Sequence, residues 1–351
     1  MTTGILDEAY ERLAFAGPEW GEDTLTNHGP MAVETMVRRG HADRVHGWLD
    51  AYLTRLDALP SPRWPIDPTA WHEALGDGRR VADWTEYFTR AVRERPWRDV
   101  LTEWWPRLLP GIVAGTTHGV IRVSHAVGAL LGTASPSPAS AASPAVTELA
   151  HALAFWAARW RPVPGTTGPG PESPWRAAAL TAVPRIPDQS GRVAARLAQL
   201  DDLPGWSGPG PRPNSPEDVP AALRDLVATG TRVYVDHGQA SPVILVHVAT
   251  APNAVLRTLP ALPPQLWTPS LDAVWAVSAA LVSAYAPPHP VATPRPASPA
   301  DGATLLDQAV HHRDEHVIKL SDTAADVYAW TGDPTVLAAG VRAAELIGSP
   351  S

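Results

Sequence analysis

No cysteine occurs among the 351 residues. Disulfides, thiolate metal ligands, iron–sulfur clusters and cysteine nucleophiles are therefore excluded. Positive charge is also short: the formal charge is -8, the isoelectric point is about 5.9, and no basic block stands out. Nucleic acid and anionic membrane are not expected partners. No uninterrupted apolar run is long enough to span a bilayer. The first residues, MTTGILDEAYERL, carry acidic side chains where a secretory leader has basic ones and an apolar run. A soluble, cytoplasmic protein is expected. Phenylalanine numbers only 3, against 15 Trp and 39 Pro. The prolines punctuate the periodic segments, and the tryptophans fall within those segments as core or pocket-wall side chains.

What is present reads almost wholly as helix. Leu6 to Phe15 has helical periodicity. Asn27 and Pro30 frame a helix start, with His28 at its mouth and Met31, Val33, Met36 and Val37 as the apolar stripe. Further helices are predicted over Ala42 to Leu59, Thr69 to Leu75, Val81 to Glu94, around Trp97 to Trp105, and over Ala145 to Trp160. Shorter ones are predicted around Trp175 to Ala182 and Gly191 to Leu200. In the last third, the run Val243 to Val248 is read as helical, with Pro252 ending or kinking it. Leu271 to Tyr285, Ala303 to Trp330 and Pro334 to Ile347 follow. Thr231 to Asp236 (TRVYVD) is the one short strand-like patch. Gly132 to Pro144, Pro162 to Pro174, Leu203 to Pro220 and 287–299 read as Pro-rich loops. The expected fold class is all-α, with residues 1–351 forming a single domain joined by long Pro/Gly-rich connections.

Several chemistries lack their motifs. There is no dinucleotide fingerprint, and the glycine clusters GTTGPG and GWSGPG are not followed by a P-loop lysine. No His-Glu-x-x-His or Gly-x-Ser-x-Gly occurs. Glu148-Leu-Ala-His151 is a single Glu-x-x-His, whereas a di-iron carboxylate bundle needs it twice.

Histidine is where polar chemistry gathers. Read as a helix, the segment Leu108 to Leu131 places His118, Arg122 and His125 on nearly one face, the two rings about 10.5 Å apart along the axis. In the last third, His312, His316 and Lys319 are predicted to share a face. His28 and His247 lie in two other segments. Buried polar groups need partners, and four separate histidine segments invite one shared metal. Without cysteine, an all-histidine shell with at most one anionic ligand suits iron, zinc, copper or nickel.

The segments TNHGPM, ALGDGRRVADW, WWPRLLPGIVAGTTHGVIRVSHAV, LVHVATAPNAVLR and DEHVIKL together resemble the questin oxidase-like family, over residues from about 20 to 345. That resemblance implies an oxygenase that opens the central ring of anthraquinone-like aromatic polyketides with dioxygen, a Baeyer–Villiger-type outcome. It also implies non-haem ferrous iron on histidines with a carboxylated lysine, or an NADPH-linked monooxygenase. The lack of a nicotinamide fingerprint favours the metal version. One ion shared by His118 and His125 would press against Ile121 and Arg122, so only one of the two is given a ligand role. The expected metal ligands are His28, His118, His247 and His316, with Lys319 as the carbamate. His125 and Arg122 are the expected catalytic residues facing substrate, and the Trp104–Trp105 pair is a candidate ring platform. The rival readings are a metal-dependent hydrolase and a non-catalytic helical scaffold.

Overall fold

The computed structural model describes residues 2–22, 24–132, 143–166, 175–208, 210–289 and 294–350. The low-complexity stretch after Gly132 and most of the loop before Trp175 lie outside the described residues. The chain is all-α: its only sheet among the described residues pairs β1 (Glu19–Trp20) with β2 (Leu25–Thr26). Among the described residues, no helix is long and apolar enough to cross a membrane. The sequence reads as one domain; the contacts cluster into two compact units.

The first unit, Met1–Pro162 with Pro260–Pro263, contains α1 (Thr2–Leu13), α2 (Gly29–Arg38), α3 (Val45–Leu53), α4 (Val81–Glu94), α5 (Trp97–Leu108), α6 (His118–Gly132) and α7 (Pro144–Ala158). Helix α7 is buried along nearly its whole length and packs on α4 and α6, while α2 packs on α1 and α6. Helix α4 follows its predicted boundaries, because Val81, Trp84, Phe88, Ala91 and Val92 recur at helical spacing and all turn inward. The predicted helix from Ala42 is cut short. It begins as a single 3₁₀ turn, and α3 ends at Leu53. Pro106 lies inside α5 near its end.

The second unit, Val163–Leu259 with Pro264–Ser351, contains α8 (Val193–Ala198), α9 (Val219–His237), α10 (His247–Thr258), α11 (Trp267–Tyr285), α12 (Gly302–His312), α13 (Glu315–Thr331) and α14 (Ala338–Leu346). The strand-like TRVYVD patch lies inside α9. Its β-branched residues cost only a few tenths of a kcal/mol each in a helix, and Val233 and Val235 are buried there. Pro252 does not end α10. It removes one N–H from the helix, and a Cβ added at Gly230 of α9 would lie 2.4 Å from the Val248 carbonyl. That carbonyl, one turn before Pro252, is left without its helical donor, and the bare Gly230 lets α9 come against it.

The predicted helix Ala303 to Trp330 is two helices. Arg313 takes a left-handed conformation (φ 74°) and closes α12. Asp314 then caps α13, its carboxylate accepting from the N–H groups of His316 (2.8 Å) and Val317 (3.1 Å). His312 therefore does not continue the face of His316 and Lys319. That expectation fails because a cap, invisible to hydrophobic periodicity, interrupts the helix between them.

Candidate functional site

In the first unit, two histidines open two helices. His28 is the residue before α2, and its backbone N–H donates to Tyr52 Oη at 2.7 Å. Asn27 Oδ1 accepts from Gly29 N–H at 2.9 Å, so Asn27 serves the helix start as its position suggested. His118 is the first residue of α6. Gly115, Thr116 and Thr117 precede it with φ of 53°, 57° and 71°. Two successive β-branched residues in the left-handed region are uncommon. This turn brings the Gly115 carbonyl under the ring, where it accepts from both the backbone N–H and Nδ1 of His118. A carbonyl only accepts, so Nδ1 carries the proton and Nε2 keeps its lone pair. His28 Nε2 lies 2.8 Å from His118 Nε2, the rings edge-on at 89°. Two imidazole nitrogens bound to one ion at about 2.1 Å and roughly a right angle are about 3 Å apart. Both side chains are buried.

His125 is bound elsewhere. Its Nδ1 lies 2.6 Å from Glu34 Oε2, and Glu34 Oε1 accepts from Arg38 Nε at 2.9 Å. Arg122 makes a two-pronged pair with Glu148 at 2.6 and 2.8 Å, both side chains buried. Its Nη1 finds no partner among the described residues. Burial, with the Arg122 charge adding to it, pushes the neighbouring His151 down to about 4, so that ring stays neutral. Glu148 is thus an ion-pair partner of Arg122, and its spacing to His151 is not a di-iron motif.

The second unit repeats the first unit's device. His247 opens α10, and the Ile244 carbonyl accepts from both its N–H (3.1 Å) and its Nδ1 (3.0 Å). Its pKa is pushed well down by complete burial, then by Lys319 and His316. The ring is neutral, with the lone pair on Nε2. His316 lies in the first turn of α13, its ring 6.1 Å from that of His247. Lys319 follows at i+3, 2% exposed, and Nζ has no hydrogen-bond partner among the described residues. Burial lowers its pKa to about 7, against the opposing pull of the Glu315 and Asp314 carboxylates. Ligand atoms of Asp314, Glu315 and His316 lie within 4.8 Å of one another.

Within the first unit His28 meets His118, and within the second His247 lies beside His316 and Lys319. Three features suit a divalent metal: the Nδ1 atoms of His118 and His247 are engaged by backbone carbonyls, His247 is held neutral, and the buried Lys319 amine has no hydrogen-bond partner among the described residues. The tryptophan pair does not form an open platform. Trp104 is fully buried among Trp71, Trp84, Tyr87 and Phe88, and Trp105 against Trp156. Sequence reasoning missed Glu34, whose partner is 91 residues away. It also passed over a plain signal: the 28 Lys and Arg include a single lysine, and it is Lys319.

A comparison with protein-family models finds no matching family, and a comparison with curated proteins finds no match.

Proposed function

We propose that the protein is a non-haem iron oxygenase that cleaves a C–C bond in an anthraquinone-like aromatic polyketide, as its resemblance to the questin oxidase-like family implies. One observation carries the metal part of this reading: the 2.8 Å approach of His28 Nε2 to His118 Nε2, with the His118 lone pair fixed by the Gly115 carbonyl. The proposed ligands are His28, His118, His247 and His316, with Lys319. Ferrous iron, when bound, supplies the electrons that activate dioxygen.

The chain's own residues do the rest. The Gly115 and Ile244 carbonyls hold two imidazoles with their Nε2 atoms unprotonated. Lys319 is largely deprotonated just above neutral pH. Its neutral amine adds carbon dioxide, forms an N–C bond and releases one proton, which gives a carbamate anion. That anion balances charge that neutral imidazoles cannot. Arg122 is tied to Glu148, so its Nη1 is a rigidly held donor group on a neutralised ion pair. Such a donor suits a carbonyl or hydroxyl oxygen of the substrate better than a free anion.

A metal-dependent hydrolase is the second reading, favoured by the closeness of Asp314 and Glu315 to His316. Against it, the Asp314 carboxylate is committed to capping α13. The test is oxygen uptake by iron-loaded protein with a hydroxyanthraquinone, with and without NADPH, and with ¹⁸O₂ to count the atoms incorporated. Uptake coupled to ring opening supports the oxygenase. Zinc as the resident metal, with no uptake, supports the hydrolase.

A further inference from the structure

Helices α2 and α6 of the first unit touch at a second place. Glu34 lies six residues beyond His28, and His125 seven beyond His118. These are rises of about 9 and about 10.5 Å. The two helices therefore run side by side in the same direction, with one contact between imidazoles at their openings and another, two turns on, between Glu34 Oε2 and His125 Nδ1 at 2.6 Å. Glu34 is 2% exposed. Its other oxygen is fixed by Arg38, one turn along α2. A carboxylate only accepts, so the proton between the two groups sits on Nδ1 of His125, and Nε2 is the nitrogen that would exchange a proton with a substrate.

Within α2, α6 and α7, the charges leave that arrangement intact. On α2 the charged groups are Glu34 and Arg38. On α6, Arg122 is the only charged residue beside the histidines, and on α7 the titratable groups are Glu148 and His151. Arg122 and Glu148 neutralise one another, and His151 is held neutral. Glu34 is thus the carboxylate against which a positive His125 would be stabilised.

We propose that Glu34 is a positioning residue that fixes His125 as a base for a substrate hydroxyl, a role that rests on the oxygenase reading above. In the step, the O–H bond of a phenolic hydroxyl breaks. The proton goes to His125 Nε2, the electron pair stays on oxygen, and the imidazolium is stabilised by Glu34. No oxidant enters this step. The phenolate is the more electron-rich partner for oxidative cleavage.

Two measurements test it. In the zinc-loaded protein, ¹⁵N-histidine NMR reads the tautomer directly, with His125 assigned by its loss in His125→Gln. Nδ1 protonated and Nε2 bare is the expected state; Nε2 protonated in the wild type overturns the proposal. In the iron-loaded protein, the isosteric Glu34→Gln should lower kcat by about tenfold to a hundredfold, the usual effect of removing such a partner. KM should stay within about twofold and iron content should not change, while Glu34→Asp recovers part of the loss. Wild-type kcat and pH profile in Glu34→Gln overturn it. The NMR result does not depend on iron or turnover, so failure of the oxygenase reading and failure of the dyad are distinguishable.

Discussion

His28 and His118 are 90 residues apart in sequence, yet their Nε2 atoms lie 2.8 Å apart. The left-handed turn Gly115-Thr116-Thr117 makes this possible by delivering His118 as the first residue of α6. An alanine at Gly115 would adopt φ 53° with its Cβ 2.8 Å from the Phe155 ring. The conformation alone costs about 1–2 kcal/mol, and the contact adds to it. Gly115→Ala should therefore lower unfolding stability by about 2 kcal/mol or more in denaturant titration, and weaken metal retention. Unchanged stability would mean that the turn is not held left-handed.

The Arg122–Glu148 pair separates charge from packing. Removing one partner leaves a buried charge, which typically costs about 3–5 kcal/mol, whereas replacing both by apolar residues is often neutral. Arg122→Met and Glu148→Leu should each be strongly destabilising, and the double variant should recover most of the loss. A double variant that adds the two losses would contradict a closed, buried pair.

Lys319 makes stability depend on pH in a set direction. Its folded-state pKa is lowered from the usual 10.5 to about 7. Between those values the unfolded chain binds a proton that the fold rejects. Stability therefore rises with pH across this window and falls as pH drops toward 7, by at most ~1.4 kcal/mol per pH unit. In metal-free protein and carbon dioxide-free buffer, the wild type should gain stability from pH 7.5 to 9.5 relative to Lys319→Met. Parallel pH profiles for the two proteins would place the wild-type amine in water.

Much of the helical fold is legible because burial recurs at helical spacing, as in Val81 to Glu94. The misreadings have local causes. TRVYVD looks like a strand by residue type, and its tertiary burial in α9 overrides that preference. The break at Arg313 and Asp314 is set by one left-handed residue and one cap, which leave the apolar pattern unbroken. At the site, the helix opening at His28 is legible in TNHGP, whereas His118 and His247 read as lying inside helical runs and instead begin α6 and α10. The role of Glu34 is not legible, because nothing near it in sequence announces His125. Trp104 and Trp105 look like a ligand platform until the fold closes other aromatic rings around them.

Metal content is the most direct measure of the central claim. After anaerobic reconstitution with ferrous iron, wild-type protein should hold one iron per chain. His28→Ala, His118→Ala, His247→Ala and His316→Ala should each lose it while keeping the helical circular dichroism spectrum. Two irons per chain, each lost only with the histidines of its own unit, would contradict a single centre. Full iron content in all four variants would contradict the ligand assignment altogether.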